Sequence, residues 1–296
     1  MLHHLRGGFF EKDAPNLLPK FDLKIFVSST FTDTHAERNI LLERIAPEMV
    51  TLASQHKIQV TFLDMRFGVR DENTADHLTW IACRQELERC SSESSGIFFI
   101  SLQSHKYGYR PIPKYLSDEH FQARFKSAST PEPTSQLAAK WYQVDTNSVP
   151  PRYELCRLDS NNKSEFWNVA LPSLVESLAD LNFDVNHKDG QALLLNRSVT
   201  EWELKVALHD PAQVPQCFWW HREFVGVVTD ANDPKKDYDD VRGDVALEGK
   251  FRDLLSYMRS RLGSANARHV TISFADYVAK ESAAGTEYFH IFEHTT

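Results

Sequence analysis

The stretch Lys24-Ile-Phe-Val-Ser-Ser-Thr30 is an apolar run that breaks into three hydroxyl residues, and a helix-period stretch, Ala36-Glu-Arg-Asn-Ile-Leu-Leu-Glu-Arg-Ile-Ala-Pro-Glu-Met-Val50, comes after it. Two further runs repeat the rhythm, Ile58-Gln-Val-Thr-Phe-Leu-Asp64 and Gly96-Ile-Phe-Phe-Ile-Ser-Leu102. The last of these is nearly unbroken in its hydrophobicity, the mark of a strand covered on both faces. Strands that alternate with helical stretches predict a parallel sheet with crossover helices. In such a sheet the carboxyl ends of the strands share one edge, and ligands bind there. The breaks after 30, 64 and 102 are therefore where functional residues are expected to gather.

Working outward, the first helix is expected to bury Leu41, Leu42, Ile45, Met49 and Leu52, with Thr32, Asp33 or Thr34 as its cap. Pro47 predicts a bend or a restart. A second helix is predicted over about 77–91, with Leu78, Ile81, Leu87 and Cys90 inward. Residues 110–197 interrupt the rhythm with scattered prolines and helical patches near 134–144 and 162–182. A bare loop of that length is improbable, so the segment reads as a large helical insertion that packs over the ligand edge or forms a face of its own. Beyond it come a helix at 199–209, a strand Gln216-Cys-Phe-Trp-Trp-His221, a charged loop at 229–247, a helix near 248–262 and a last strand His269-Val-Thr-Ile-Ser273, with a final helix beginning near 284. Five strands make an α/β, flavodoxin-like, doubly wound parallel sheet. Residues 1–22 read as a flexible arm, and 23–296 as a single domain that includes the insertion.

Composition narrows the partners. Of 296 residues, 42% are hydrophobic, enough for a sizeable core, and 41 acids against 33 bases leave a formal charge of −8. With no dense basic run, nucleic acid is not expected as a partner. The four cysteines, at 83, 90, 156 and 217, form no CxxC pair and read as reduced thiols of a cytoplasmic protein. The 13 histidines lack metal-ligand spacing, and no metal is expected. No apolar stretch approaches the roughly 20 residues that span a bilayer. The P-loop and nucleophile-elbow patterns are also missing.

The motif residues also carry a likeness. Ile25-Phe-Val-Ser-Ser-Thr-Phe-Thr-Asp33 with Ala36-Glu-Arg38, then Leu63-Asp-Met-Arg-Phe-Gly-Val69, Tyr107-Gly-Tyr109 and Ser198-Val-Thr-Glu-Trp-Glu203, resemble in order the motifs of the domain of unknown function 4062 family, over about 24–273. The segment from Trp141 through Asn147-Ser-Val-Pro-Pro151 is similar to NACHT and WD-repeat proteins, signalling ATPases that assemble on stimulation. The same domain looks like a divergent Toll/interleukin-1 receptor (TIR) domain. That resemblance implies an amino-terminal signalling or effector module that self-associates on activation and works with the NACHT and WD-repeat regions of the same protein. Some TIR domains cleave the nicotinamide–ribose bond of NAD with a glutamate on a helix. The likeness implies Glu203 as that catalytic carboxylate, with NAD as substrate, no cofactor, and Trp202 beside it among the substrate-binding residues.

The residues themselves add detail. Ser28, Ser29 and Thr30 precede a helix start, where hydroxyls either cradle an anion or cap the helix. Arg66 can meet a phosphate or carboxylate bidentately, or else pair with Asp64, Asp71, Glu72 or Glu37. Phe31, Phe67 and Tyr107 are candidate aromatic walls for nicotinamide. Glu203 has a rival in Glu201, since either can serve as a first-turn carboxylate behind a Ser198 or Thr200 cap. Gly68 and Gly108 read as turn glycines, and Phe218-Trp-Trp-His221 as strand core. NAD glycohydrolysis by Glu203 thus stands beside two other readings, a non-catalytic homotypic interaction module and nucleotide binding without turnover.

Overall fold

The computed structural model describes residues 21–30, 32–65, 77, 79–179, 196–225 and 238–277. In chain order it contains strand β1 (Asp22–Ser29), helix α1 (His35–Ile40) running through a π-turn (Leu41–Ile45) into α2 (Ala46–Gln55), strand β2 (Gln59–Asp64), helix α3 (Thr79–Glu93) and strand β3 (Phe99–Gln103). After 104–198 come helix α8 (Val199–Ala207), strand β7 (Cys217–Val225), helix α9 (Val245–Arg261) and strand β8 (Ala267–Ser273). The five strands pair in parallel in the order β2-β1-β3-β7-β8, the flavodoxin-like order. The chain reverses its direction of sheet growth between β1 and β3, where Ser28 pairs with Ser101.

Period-two alternation explains how one sheet carries two cores. Phe26, Phe99 and Trp219 point to one face with Leu87, Cys90, Leu204 and Met258. Val27, Leu102 and Trp220 point to the other, with Ile40, Leu41 and Ile272. The tryptophan pair of β7 is thus strand core, one ring on each face. Helix α3 buries Trp80, Cys83, Leu87 and Cys90, a three-four-three spacing that makes one stripe.

The restart expected at Pro47 is present: the residue lies at the start of α2, directly after the π-turn, where its missing N–H is tolerated. Two other expectations need correction. The extra residue in the π-turn rotates the rest of the helix about its axis, leaving Leu52, expected inward, 61% exposed. The insertion, expected to be helical, also builds a sheet. Its elements are β4 (Tyr115–Ser117), α4 (Asp118–Phe125), α5 (Glu132–Trp141), β5 (Tyr142–Asp145), β6 (Arg152–Leu155), α6 (Lys163–Glu165) and, after a π-turn, α7 (Leu171–Leu178). The strands pair antiparallel in the order β4-β6-β5 over a separate core of Phe121, Phe125, Trp141, Tyr142, Phe166 and Leu174. Short strands of half-polar residues on either side of Pro150 and Pro151 leave little periodicity to read. Residues 1–20 of the expected arm, the start of a final helix near 284 and residues 229–237 of the expected 229–247 loop lie outside the described residues, while Asp22 already belongs to β1 and the loop's end, from Val245, to α9.

Candidate functional site

The carboxyl end of β1 places successive side chains on opposite faces, and each finds a different partner. Ser28, buried, donates its hydroxyl to Glu203 Oε2 at 2.6 Å. Ser29 turns the other way and accepts from Arg38 Nη1 at 2.7 Å. Thr30 donates its hydroxyl to Asp33, while its carbonyl accepts from Thr34 Oγ1 at 2.8 Å. Arg38 on α1 also grips Asp64 at the end of β2, through both Nε and Nη2, so the ends of β1 and β2 are locked together.

A second buried arginine stitches the opposite side. Arg222 on β7 pairs with Glu37 and donates to the Asp33 carbonyl at 2.5 Å and to Ser104 Oγ at 2.7 Å. Two of the four acids offered in the sequence as partners for Arg66 are therefore engaged by other arginines, Asp64 by Arg38 and Glu37 by Arg222, and the other two, Asp71 and Glu72, lie outside the described residues. Burial pushes the Asp33 carboxyl up to about 6 against the pull of Thr30, Arg222 and Lys106.

Helix α8 brings Glu203 to this edge. Ser198 caps it, accepting from Glu201 N at 3.1 Å. Glu201, in the first turn, takes the Tyr107 hydroxyl and an ion pair from Lys205 at 2.6 Å. Glu203, two positions on, points to the other side, is 5% exposed, and receives hydrogen bonds from Ser28 and from the Cys83 thiol of α3. Burial raises its carboxyl to about 7, opposed by those two donors and by the nearby charge of Arg38. The Cys83 thiol is pushed up in turn, first by burial and then by Glu203.

Around Glu203 lies a cleft of about 220 Å³ at the β1/β3 reversal. Ser29 and Thr30 line it from β1, Arg38 from α1, and Met65 from just beyond β2. Cys83 and Thr200 close the helical side, and Lys106, Gly108, Tyr109 and Asp240 form the rim. The turn after β3 is tightly seated: Gly108 has φ +99°, and a Cβ there would stand 2.9 Å from Thr30 Cγ2. A larger hollow of about 350 Å³ on the insertion's small sheet, beside Lys114, Asp145 and Glu154, shares no residue with this cleft.

Of the residues singled out in the sequence, Ser29, Thr30 and Glu203 line one cleft, and Ser28 supports Glu203 from behind. Tyr107 sits in the adjoining turn, but its hydroxyl is taken by Glu201. Trp202 faces away, packed edge-on against Trp80 with centroids 6.4 Å apart. Phe31, Arg66, Phe67 and Gly68 lie outside the described residues. The sequence reading did not single out Arg38, Cys83, Tyr109, Lys106 or Asp240 as site residues. Arg38 and Tyr109 stand inside quoted motifs, and that is the available signal; Cys83 reads in the sequence only as one of four reduced thiols.

Comparison with known proteins agrees with the motif likeness. Residues 24–131 match the family described as Domain of unknown function (DUF4062). The chain is similar to mouse NACHT domain- and WD repeat-containing protein 1, 27% identical over 61% of this chain and 12% of that protein. It is similar to human NACHT and WD repeat domain-containing protein 2, 21% identical over 69% of this chain and 13% of that protein. Rat telomerase protein component 1 is 30% identical over 33% of this chain and 4% of its own length. The matches thus span only about an eighth or less of these much longer relatives. No solved structure matches. Among the described residues no helix is long and apolar enough to cross a membrane. Through residues 24–131 the chain carries a DUF4062 domain, of a kind related to NACHT- and WD-repeat-containing proteins.

Proposed function

We propose that this domain is a TIR-like signalling or effector module that hydrolyses the nicotinamide–ribose bond of NAD, with Glu203 as its catalytic carboxylate. The observation that carries the reading is the Glu203 carboxyl itself, buried at the β1/β3 edge of a parallel sheet, facing a cleft and poised near neutrality at about 7. Burial of a carboxylate that close to its ionisation point is the kind of perturbation found where a group does chemistry.

In the reaction, the C1′–N bond of the nicotinamide riboside breaks and the electron pair leaves with nicotinamide, which departs neutral. Positive charge develops on the ribose, and ionised Glu203 stabilises it and accepts from a ribose hydroxyl. Water then adds to C1′ and releases one proton. Ser28 holds the carboxylate from behind through Oε2. Tyr109, whose ring packs edge-on against Trp167 with centroids 5.0 Å apart, is the only aromatic among the described residues that lines the cleft, so any flank of nicotinamide there falls to it rather than to Tyr107. A hollow of about 220 Å³ admits the nicotinamide–ribose end, and a neighbouring copy completes the pocket for the remainder. NAD is the substrate, and no further cofactor is needed.

The test is incubation of the purified chain with NAD, read by chromatography for nicotinamide, with Glu203→Gln beside it. The reading expects release by the wild type and none by the variant; full turnover in E203Q ends it.

A second reading, a homotypic interaction module without turnover, draws on a different feature. Val50 and Leu52 are 44% and 61% exposed on α2, the helix packed beside edge strand β2. On that reading size-exclusion of the chain gives concentration-dependent association and NAD stays intact; a monomer at every concentration removes it.

A further inference from the structure

The turn after β3 holds an anion, and the anion is part of the protein. Asp240 Oδ1 accepts from the Tyr107 amide at 2.7 Å and its Oδ2 accepts from the Gly108 amide at 3.0 Å. Two consecutive backbone N–H groups therefore converge on the two oxygens of one carboxylate, the geometry of a backbone nest that grips an oxyanion. The nest is fixed in advance. Gly108 adopts φ +99°, and the space where a side chain would stand is filled by Thr30 Cγ2 and by Thr200 Oγ1, 3.2 Å away. The carbonyl of Tyr109 accepts from the Val199 amide at 3.0 Å, which pins the other end of the turn to α8.

Asp240 is not what anchors its own segment. Asp239 does that, accepting from the Val241 and Arg242 amides at 3.1 Å each and joining His105 in a backbone bridge. Asp240 is free of that duty, exposed at the rim, and lines the same cleft as Glu203 and Lys106. The Lys106 ammonium, donating to Thr32 Oγ1 at 2.7 Å, stands on the same rim as the nest.

We infer that the Tyr107–Gly108 amide pair, with Lys106, is a phosphate-binding subsite of the cleft, and that Asp240 occupies it as an internal substitute which a ligand's phosphate displaces. This rests on the proposed reading only in saying which phosphate arrives, the diphosphate of a dinucleotide; the anion site itself stands on the turn. A phosphate oxygen pair replaces the carboxylate oxygens on the same two amides, and Lys106 supplies the charge that Asp240 had opposed. Asp240 then swings to solvent on a turn already held by Asp239.

Inorganic pyrophosphate is the probe. Titrated into the intact chain, it is expected to shift the amide resonances of Tyr107 and Gly108 ahead of others, with affinity that falls as salt rises. Asp240→Asn keeps the size and one acceptor but removes the competing charge, and is expected to bind pyrophosphate about tenfold more tightly. Lys106→Gln is expected to bind it severalfold more weakly. A folded D240N with unchanged or weaker affinity overturns the inference, as do shifts that fall away from the turn. If D240N fails to fold, the wild-type resonances and Lys106→Gln decide alone. None of these measurements needs NAD to be cleaved, so an inactive chain that still binds pyrophosphate at the turn removes the enzyme reading and keeps the subsite.

Discussion

Glu201 and Glu203 stand two positions apart on α8, and a helix turns about 200° over that interval. Glu201 faces the turn after β3, bonded to the Tyr107 hydroxyl and to Lys205. Glu203 faces the sheet edge, where among the described residues it meets two weak donors, Ser28 and Cys83, and no cation directly. Both are nearly buried, at 7% and 5% exposure. The difference lies in the company: a carboxylate with an ammonium beside it is held as a structural group, while one held only by a hydroxyl and a thiol has its charge poorly compensated. The first is suited to fastening a helix, the second to changing protonation state or meeting a cation in its ground or transition state.

The most decisive way to break that contrast is to neutralise each carboxylate in turn. Glu203→Gln is expected to lower nicotinamide release by on the order of 10²-fold to 10³-fold or more, as loss of a charge-stabilising group does. Glu201→Gln is expected to leave release within about threefold of wild type but to cost about 1–2 kcal/mol of stability, because a buried tyrosine hydroxyl loses a charged acceptor. Turnover by chromatography and thermal melts measure the two together. If E201Q rather than E203Q is the inactive variant with an intact melt, the roles are reversed.

That comparison also marks how far a sequence can be read. The five strands of the sheet were legible because each is an apolar run bounded by a polar break, and the alternation with helices leaves few topologies open. The rule about strand ends pointed to Ser29 and Thr30, while Glu203, on a helix, was singled out only through the family resemblance. The Arg38–Asp64 and Arg222–Glu37 pairs were not legible, since partners 26 and 185 residues apart leave no local pattern. Trp202 was misplaced for a related reason. A motif records neighbours along the chain, while the helix turns neighbours onto different faces, and Trp202 went to Trp80. The small sheet of the insertion was missed because strands of three and four residues, as in Tyr115–Ser117 and Tyr142–Asp145, carry too little alternation to register.

The rate of NAD cleavage against pH sharpens the contrast next. Nicotinamide leaves neutral and needs no acid, so the active form is the ionised carboxylate. With the Glu203 carboxyl at about 7, kcat/KM is expected to rise about tenfold per pH unit up to that point and then level off. A limb that instead falls as pH rises through about 7 assigns Glu203 the part of an acid and removes the mechanism proposed.

Stability carries the same signature with a smaller effect. Glu203 and Asp33 both have carboxyls raised in the folded protein, from 4.5 to about 7 and from 3.8 to about 6. The folded chain therefore keeps protons that the unfolded chain releases. Their contribution is fully present below the unfolded values and is lost as pH rises through the folded ones. Glu203→Gln cannot ionise and escapes its share of that loss. Its melting temperature is expected to match the wild type near about pH 5 and to exceed it by several degrees near about pH 9. Equal melts at both values mean that the carboxyl is not raised by burial.

The smallest effect tests the thiol. Cys83 stabilises the ionised form of Glu203 by donating to it, alongside Ser28. Cys83→Ala removes one of two donors from a buried carboxylate, so the acid limb of the rate profile is expected to move upward by less than about one unit, with the plateau little changed. Cys83→Ser keeps a donor and is expected to restore the limb. A shift common to both variants points to altered packing of α3 against α8 instead, because a serine that still donates differs from the thiol mainly in bulk.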